Sequence, residues 1–104
     1  MAAVTIVYWR DIPAQVIVKA GRKSAKRPLS ERFEQAIDRC AMKVGARDSD
    51  AYLAEWRRGA PVEAEGALET IADAEANRLE SAFDAAALTA IIANDGWAAD
   101  RTRA

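Results

Sequence analysis

Two short runs rich in β-branched and aromatic residues stand almost side by side near the N-terminus, AVTIVYWR (3–10) and AQVIVKAG (14–21), and nothing after them reads as strand. In the first run Val4, Ile6 and Tyr8 share one face and Thr5, Val7 and Trp9 the other. In the second, Val16 and Val18 face one way and Gln15, Ile17 and Lys19 the other. Pro13 lacks the N–H that a central ladder uses, so a turn is expected at DIPA, and Gly21 ends the second strand. Strand, turn and strand make a β-hairpin, apolar on both faces near its middle. A two-stranded sheet is marginal in water. Either helices cover it, or its edge pairs with something else; pairing between two copies would give a four-stranded sheet and a homodimer.

The rest of the chain supplies the helices. Ser30 is placed as an N-cap, with Glu31 at the positive end of the helix dipole. From there Phe33, Ala36, Ile37, Cys40, Ala41 and Val44 recur on one helical face, opposite Glu34, Asp38, Arg39 and Lys43, until Gly45 stops the helix. DSDAYLAEWRRG (48–59) reads as a short helix capped by Asp48 or Ser49, with Tyr52, Leu53 and Trp56 apolar, Arg57 and Arg58 at its negative end, and Gly59 closing it. APVEAEG is a loop around Pro61. A long helix then starts near Ala67 and buries Leu68, Ile71, Ala72, Leu79 and Phe83; Asp84 caps a restart that buries Leu88, Ile91 and Ile92 and ends at Gly96. The expected architecture is α+β: a two-stranded hairpin on a layer of three to four helices, in the order β-β-α-α-α-α. Residues 1–96 form one domain in this reading, and 97–104 a tail that frays unless Trp97 docks.

Composition narrows the chemistry. At 104 residues, 51% hydrophobic and 30% charged, the chain is of the ordinary globular class. It has no histidine, which removes histidine-based triads, His-ligated zinc and haem, and histidine pH switching. The single cysteine, Cys40, has no partner for an internal disulfide and lies on the best apolar face, where core packing is expected. No signal peptide and no run of about 18 apolar residues is present, so the expectation is a cytoplasmic protein without a membrane contact. No metal site or cofactor is expected.

Charge is distributed unevenly. Residues 1–47 hold ten Lys/Arg against four Asp/Glu, and residues 48–104 hold five against twelve. Either the halves complement one another, within a chain or head to tail between chains, or each meets a charged partner. The sharpest feature is AGRKSAKRPLS (20–30), with Arg22, Lys23, Lys26 and Arg27 in a loop ahead of a helix. Such a loop can hold a small anion, an acidic protein or a nucleic-acid backbone, or can simply stay solvated. Tyr8, Trp9 and Arg10 beside it add the aromatic surface that stacks on bases. Near-neutral net charge argues against wholesale nucleic-acid binding. Glu65, Glu69 and Asp73 would form an i, i+4, i+8 carboxylate stripe if the long helix reached back past Gly66. Arg10 and Asp11 admit two roles, a contact site or an ion pair pinning the turn.

IVYWRDIPAQVIV, ERFEQAIDRCAMKVG and DAYLAEWRRG together resemble the small bacterial domain family labelled "virulence factor", over nearly the whole chain from Val4 to about Ile92, with YWRDIPAQV the most distinctive segment. The resemblance implies an accessory module, found alone or appended to helical repeats, whose stand-alone members are encoded beside folate- and corrinoid-dependent methyl-transfer enzymes. It carries no catalytic residue onto this chain. The expected function is therefore a non-enzymatic accessory protein that binds another protein, with a small anionic ligand such as a folate as a further candidate. Its surface would be Trp9, Arg10 and Asp11 with Arg22, Lys23, Lys26 and Arg27. A nucleic-acid module using the same loop, and a small enzyme using Asp11 or paired carboxylates, are the alternatives.

Overall fold

A computed structural model of the chain describes residues 2–46 and 49–98. Its elements in chain order are β1 (Ala2–Trp9), β2 (Ile12–Ala20), β3 (Lys23–Pro28), α1 (Glu31–Lys43), α2 (Ser49–Ala54), β4 (Trp56–Arg58), β5 (Val62–Ala64), α3 (Leu68–Ala82) and α4 (Ala85–Ala93). The fold is α+β, but the hairpin is only the inner part of a five-stranded antiparallel sheet ordered β3-β2-β1-β4, with β5 also on β1.

Three segments differ from the sequence reading, each because the sheet overrides local composition. The basic segment expected as a loop is β3, paired with β2 from Gln15↔Pro28 to Ala20↔Lys23. Its Lys, Ser and Pro content is tolerated because an edge strand has only one neighbour to satisfy. The second helix ends at Ala54, and Trp56–Arg58, expected as its last turn, turns into β4 against Val7–Trp9. The loop around Pro61 contains β5, which pairs with Ala2–Val4. Both edges of the hairpin are thus filled from within the chain, and any pairing between copies falls to the outer strands. The hairpin turn sits at Arg10–Asp11, taking only the first residue of DIPA, and Pro13 lies inside β2 opposite Tyr8. Its missing N–H is accommodated because the β1–β2 register shifts between Val7 and Tyr8.

The strand alternation read from the sequence places the core. Val16 and Val18 are fully buried, and with Val4 they join a cluster that takes in Phe33, Ala36, Ile37 and Cys40 of α1, Ala72, Ala76 and Leu79 of α3, and Leu88 and Ile91 of α4. α3 lies on β1–β3, while α1 packs between β2 and α4 toward the hairpin turn. Ile17, on the opposite face of β2, is 5% exposed yet stands outside that cluster.

The helix ends follow the sequence with one change. Asp84 Oδ1 accepts from the Ala87 N–H as an N-cap, and Gly45 takes φ 80° just past α1. Ser30 occupies the N-cap position of α1 but makes no cap bond; its hydroxyl donates to Glu80 Oε1 at 2.8 Å, tying α1 to α3. Asp48, one of the caps considered for α2, lies outside the described residues, as do 99–104 of the tail. Trp97 does dock, its ring against the Arg10 guanidinium. No helix among the described residues is long and apolar enough to cross a membrane.

Candidate functional site

The residues expected to form one surface are divided between opposite ends of β2. Nine residues of strand span about 30 Å, with Arg10 and Asp11 at one end and Arg22 and Lys23 at the other. The two groups also have opposite characters.

At the hairpin turn the side chains are engaged with one another, and of the buried side-chain N and O atoms among the described residues only Arg10 Nε lacks a hydrogen-bond partner. Trp9 is fully buried, and its Nε1–H donates to the Tyr52 carbonyl at 2.9 Å. Arg10 adopts φ 55° and lies between the Trp9 and Trp97 rings, its Cζ 5.4 and 5.2 Å from their centroids. Its guanidinium donates to the Asp95 carbonyl at 2.6 Å and to Glu55 Oε2 at 3.0 Å. Asp11, 7% exposed, accepts from Arg57 Nη2 at 2.6 Å and from the Ala98 N–H at 2.8 Å. Arg57 also donates to the Arg10 carbonyl at 2.8 Å and covers the Tyr8 ring at 4.5 Å. Even the turn's N–H groups reach outward, from Arg10 to Glu55 and from Asp11 to Gly96. Two residues that contribute to this lock, Glu55 and Asp95, carry no sequence signal for it, since they are distant in the chain.

At the other end the cations are open. Arg22, Lys23, Lys26 and Arg27 are all exposed. The pleat divides those on β3: Lys23 and Arg27 lie on the face that carries α3, and Lys26 on the opposite face with Lys19. Arg27 is ion-paired with Asp73 of α3. Arg22, Lys23 and Lys26 make no ion pair among the described residues.

The charge asymmetry between the two halves of the chain is partly resolved internally. Of the six ion pairs among the described residues, four join a cation of the first half to an acid of the second: Arg10–Glu55, Arg27–Asp73, Arg32–Glu80 and Lys43–Asp95. Of the described cations left without an ion pair, Arg39 and Arg58 stand singly on α1 and β4, while Lys19, Arg22, Lys23 and Lys26 lie on β2, β3 and the turn between them.

A third feature was not foreseen. A cleft of about 740 Å³ opens between β1, the β4–β5 connection and α3, floored by Val4, Ile6 and Ile71, with Tyr8, Glu75 and Arg78 at its wall. Alternation puts Val4, Ile6 and Tyr8 on one face, but only the unpredicted strands β4 and β5 make that face a wall. Glu75 and Arg78 close on each other at 3.0 and 2.5 Å, and this bond holds the Glu75 carboxyl below its ordinary range.

The carboxylate stripe does not form, because α3 begins at Leu68 and Gly66 turns away with φ 125°. Among the described residues no group of three His, Cys, Asp or Glu could hold a metal ion. Cys40 is fully buried, and burial pushes its thiol above the ordinary value.

The model of one protein family, described as "Virulence factor", matches residues 7–92. No curated protein and no solved structure matches the chain.

Proposed function

The chain belongs to the virulence factor family, and from that premise we propose that it is a non-enzymatic accessory protein whose contact with another protein is made by the basic end of the sheet. The observation that carries this reading is the residue of unmatched charge. Among the described residues Arg10, Arg27, Arg32 and Lys43 pair with acids of the chain; Arg39 and Arg58 stand singly without an ion pair, whereas Arg22, Lys23 and Lys26 lie exposed within residues 22–26 without one, with Lys19 on the neighbouring strand. The partner surface is acidic. The family resemblance directs the search toward cytoplasmic folate- or corrinoid-dependent methyl-transfer enzymes. Trp9, Arg10 and Asp11 act in this reading as the internal lock that holds the sheet, not as the contact.

Binding of nucleic acid through the same strand finds less support. Trp9 is buried and Tyr8 lies under Arg57, at the end of the sheet away from Arg22 and Lys23, so no aromatic platform adjoins those cations. Asp11, the candidate acid of an enzymatic reading, is taken up by Arg57 and the Ala98 N–H.

The test is a pull-down from nuclease-treated native lysate with two baits, the native chain and one carrying Arg22→Glu, Lys23→Glu and Lys26→Glu. Arg27 is spared because of its pair with Asp73. Retention of a methyl-transfer enzyme by the native bait and its loss from the variant supports the proposal. Identical capture by both baits overturns it.

A further inference from the structure

The two edges of the sheet are built differently. On one side β4 and β5 are three residues each, separated by Gly59, Ala60 and Pro61. Short, broken strands with proline are a usual way to make an edge unfit for further pairing. On the other side β3 runs six residues in unbroken register with β2, and among the described residues no strand pairs with its outer edge.

The register assigns which main-chain groups that edge presents. The Leu29 N–H donates to the Ala14 carbonyl at 3.0 Å, so Ala14 and Leu29 form a hydrogen-bonded pair. Antiparallel pairs alternate. Arg27, Ala25 and Lys23 therefore turn their N–H and C=O toward β2, and Pro28, Lys26 and Ser24 turn theirs outward. Pro28 fits this assignment, since its missing N–H falls on the side where no ladder bond is needed. A strand laid along β3 would meet the N–H and C=O of Ser24 and Lys26 and the C=O of Pro28. Its side chains would pass Lys26 on one face and Lys23 on the other.

We propose that β3 is a strand-addition site, and that its occupant is an extended segment of a partner protein with Asp or Glu on both faces. This rests on the reading of the basic strand as the contact surface and specifies how the contact is made. A second copy of the chain is disfavoured as the occupant, because β3 against β3 would bring Lys23, Lys26 and Arg27 of both copies together along one seam with no acid on either strand.

The probe is a fluorescein-labelled Thr-Glu-Glu-Val-Glu-Glu-Thr-Val peptide, followed by anisotropy at low salt and by amide hydrogen exchange. Two control peptides replace every Glu by Gln or the central Val by Pro. The native chain should bind the acidic peptide and not the Gln peptide. The Ser24→Pro variant, which removes an outward N–H, keeps every cation and leaves the β2 ladder intact, should bind about tenfold more weakly, as the Pro peptide should to the native chain. Exchange should slow on binding at Ser24 and Lys26 and stay unchanged at Lys23, Ala25 and Arg27. A thermal melt of Ser24→Pro checks its folding, and the Pro peptide gives the same information without altering the protein. Acid-dependent binding that ignores both prolines and leaves exchange at Ser24 and Lys26 unchanged overturns strand addition while the basic-surface reading stands. Failure of the native chain to bind the acidic peptide also overturns strand addition. The pull-down contrast alone decides the underlying reading.

Discussion

The two ends of β2 use arginine and lysine in opposite ways. At the hairpin turn Arg10 and Arg57 are drawn into the fold, stacked on Trp9, Trp97 and Tyr8 and bonded to Glu55, Asp95 and Asp11. At the β2–β3 end Arg22, Lys23 and Lys26 are exposed and meet no acid of the described chain. Arginine suits the first task, because its planar fork donates in several directions while its face lies on aromatic rings. Lysine suits the second, as a mobile and hydrated charge on an edge strand. Identical charge thus marks structure at one end and, in the proposed reading, contact at the other, and the difference lies in what surrounds it.

The largest effect expected from breaking this contrast belongs to Trp9. It is fully buried, packs on Tyr52 and carries a hydrogen bond to the Tyr52 carbonyl, so Trp9→Ala should cost about 3–5 kcal/mol in chemical denaturation. Next comes Asp11→Asn, which discharges the buried partner of Arg57 and weakens the hold on Ala98. A loss of about 2 kcal/mol is expected, read as a lower melting temperature, with capture of the partner unchanged at temperatures where the variant is folded. Loss of capture without loss of stability would move the contact surface to the hairpin turn.

These residues also show how far the sequence could be read. The β1–β2 pairing, the apolar face of α1 and the Asp84 cap follow from periodicity and capping chemistry, which act over a few residues. β4 and β5 do not. Trp56, Arg57 and Arg58 sit in a helix-like segment, and only the open edge of β1 more than forty positions earlier makes them a strand. β3 was missed for the opposite reason: Lys23, Ser24, Lys26 and Arg27 have loop composition, and an edge strand asks little of composition. The candidate site divides along the same line. The positive charge of residues 22–27 is local and legible; the lock on Arg10 depends on Glu55, Asp95 and Trp97, whose proximity no local pattern encodes.

Within the basic strand itself the comparison can be sharpened. Lys23→Gln with Lys26→Gln should change stability by no more than about 0.5 kcal/mol, since neither side chain has an ion-pair partner among the described residues to lose. The same pair of substitutions should sharply reduce partner capture. Arg27→Gln should instead cost about 0.2–1 kcal/mol, because it removes the pair with Asp73, and that cost should shrink in high salt. Equal destabilisation by all three would mean that Lys23 and Lys26 belong to the structural class after all.

The smallest expected effect tests whether engaged charge behaves as structure even outside the lock. Glu75 and Arg78 are three residues apart on α3 and face each other in the wall of the cleft. The hydrogen bond from Arg78 lowers the folded-state pKa of Glu75 below its ordinary value of 4.5, against a smaller upward push from burial. Protons therefore bind the unfolded chain more readily than the folded one at this site. The stabilisation is fully present above the unfolded value and is lost as pH falls through the lowered folded value. Arg78 is 59% exposed, so water screens the pair and its worth is that of a helical surface pair, about 0.2–0.5 kcal/mol. Glu75→Gln should lower stability by that amount near neutrality and by nothing at a pH below both pKa values. A difference between native and variant chains that persists at low pH would show that Glu75 acts through packing in the cleft and not through its charge.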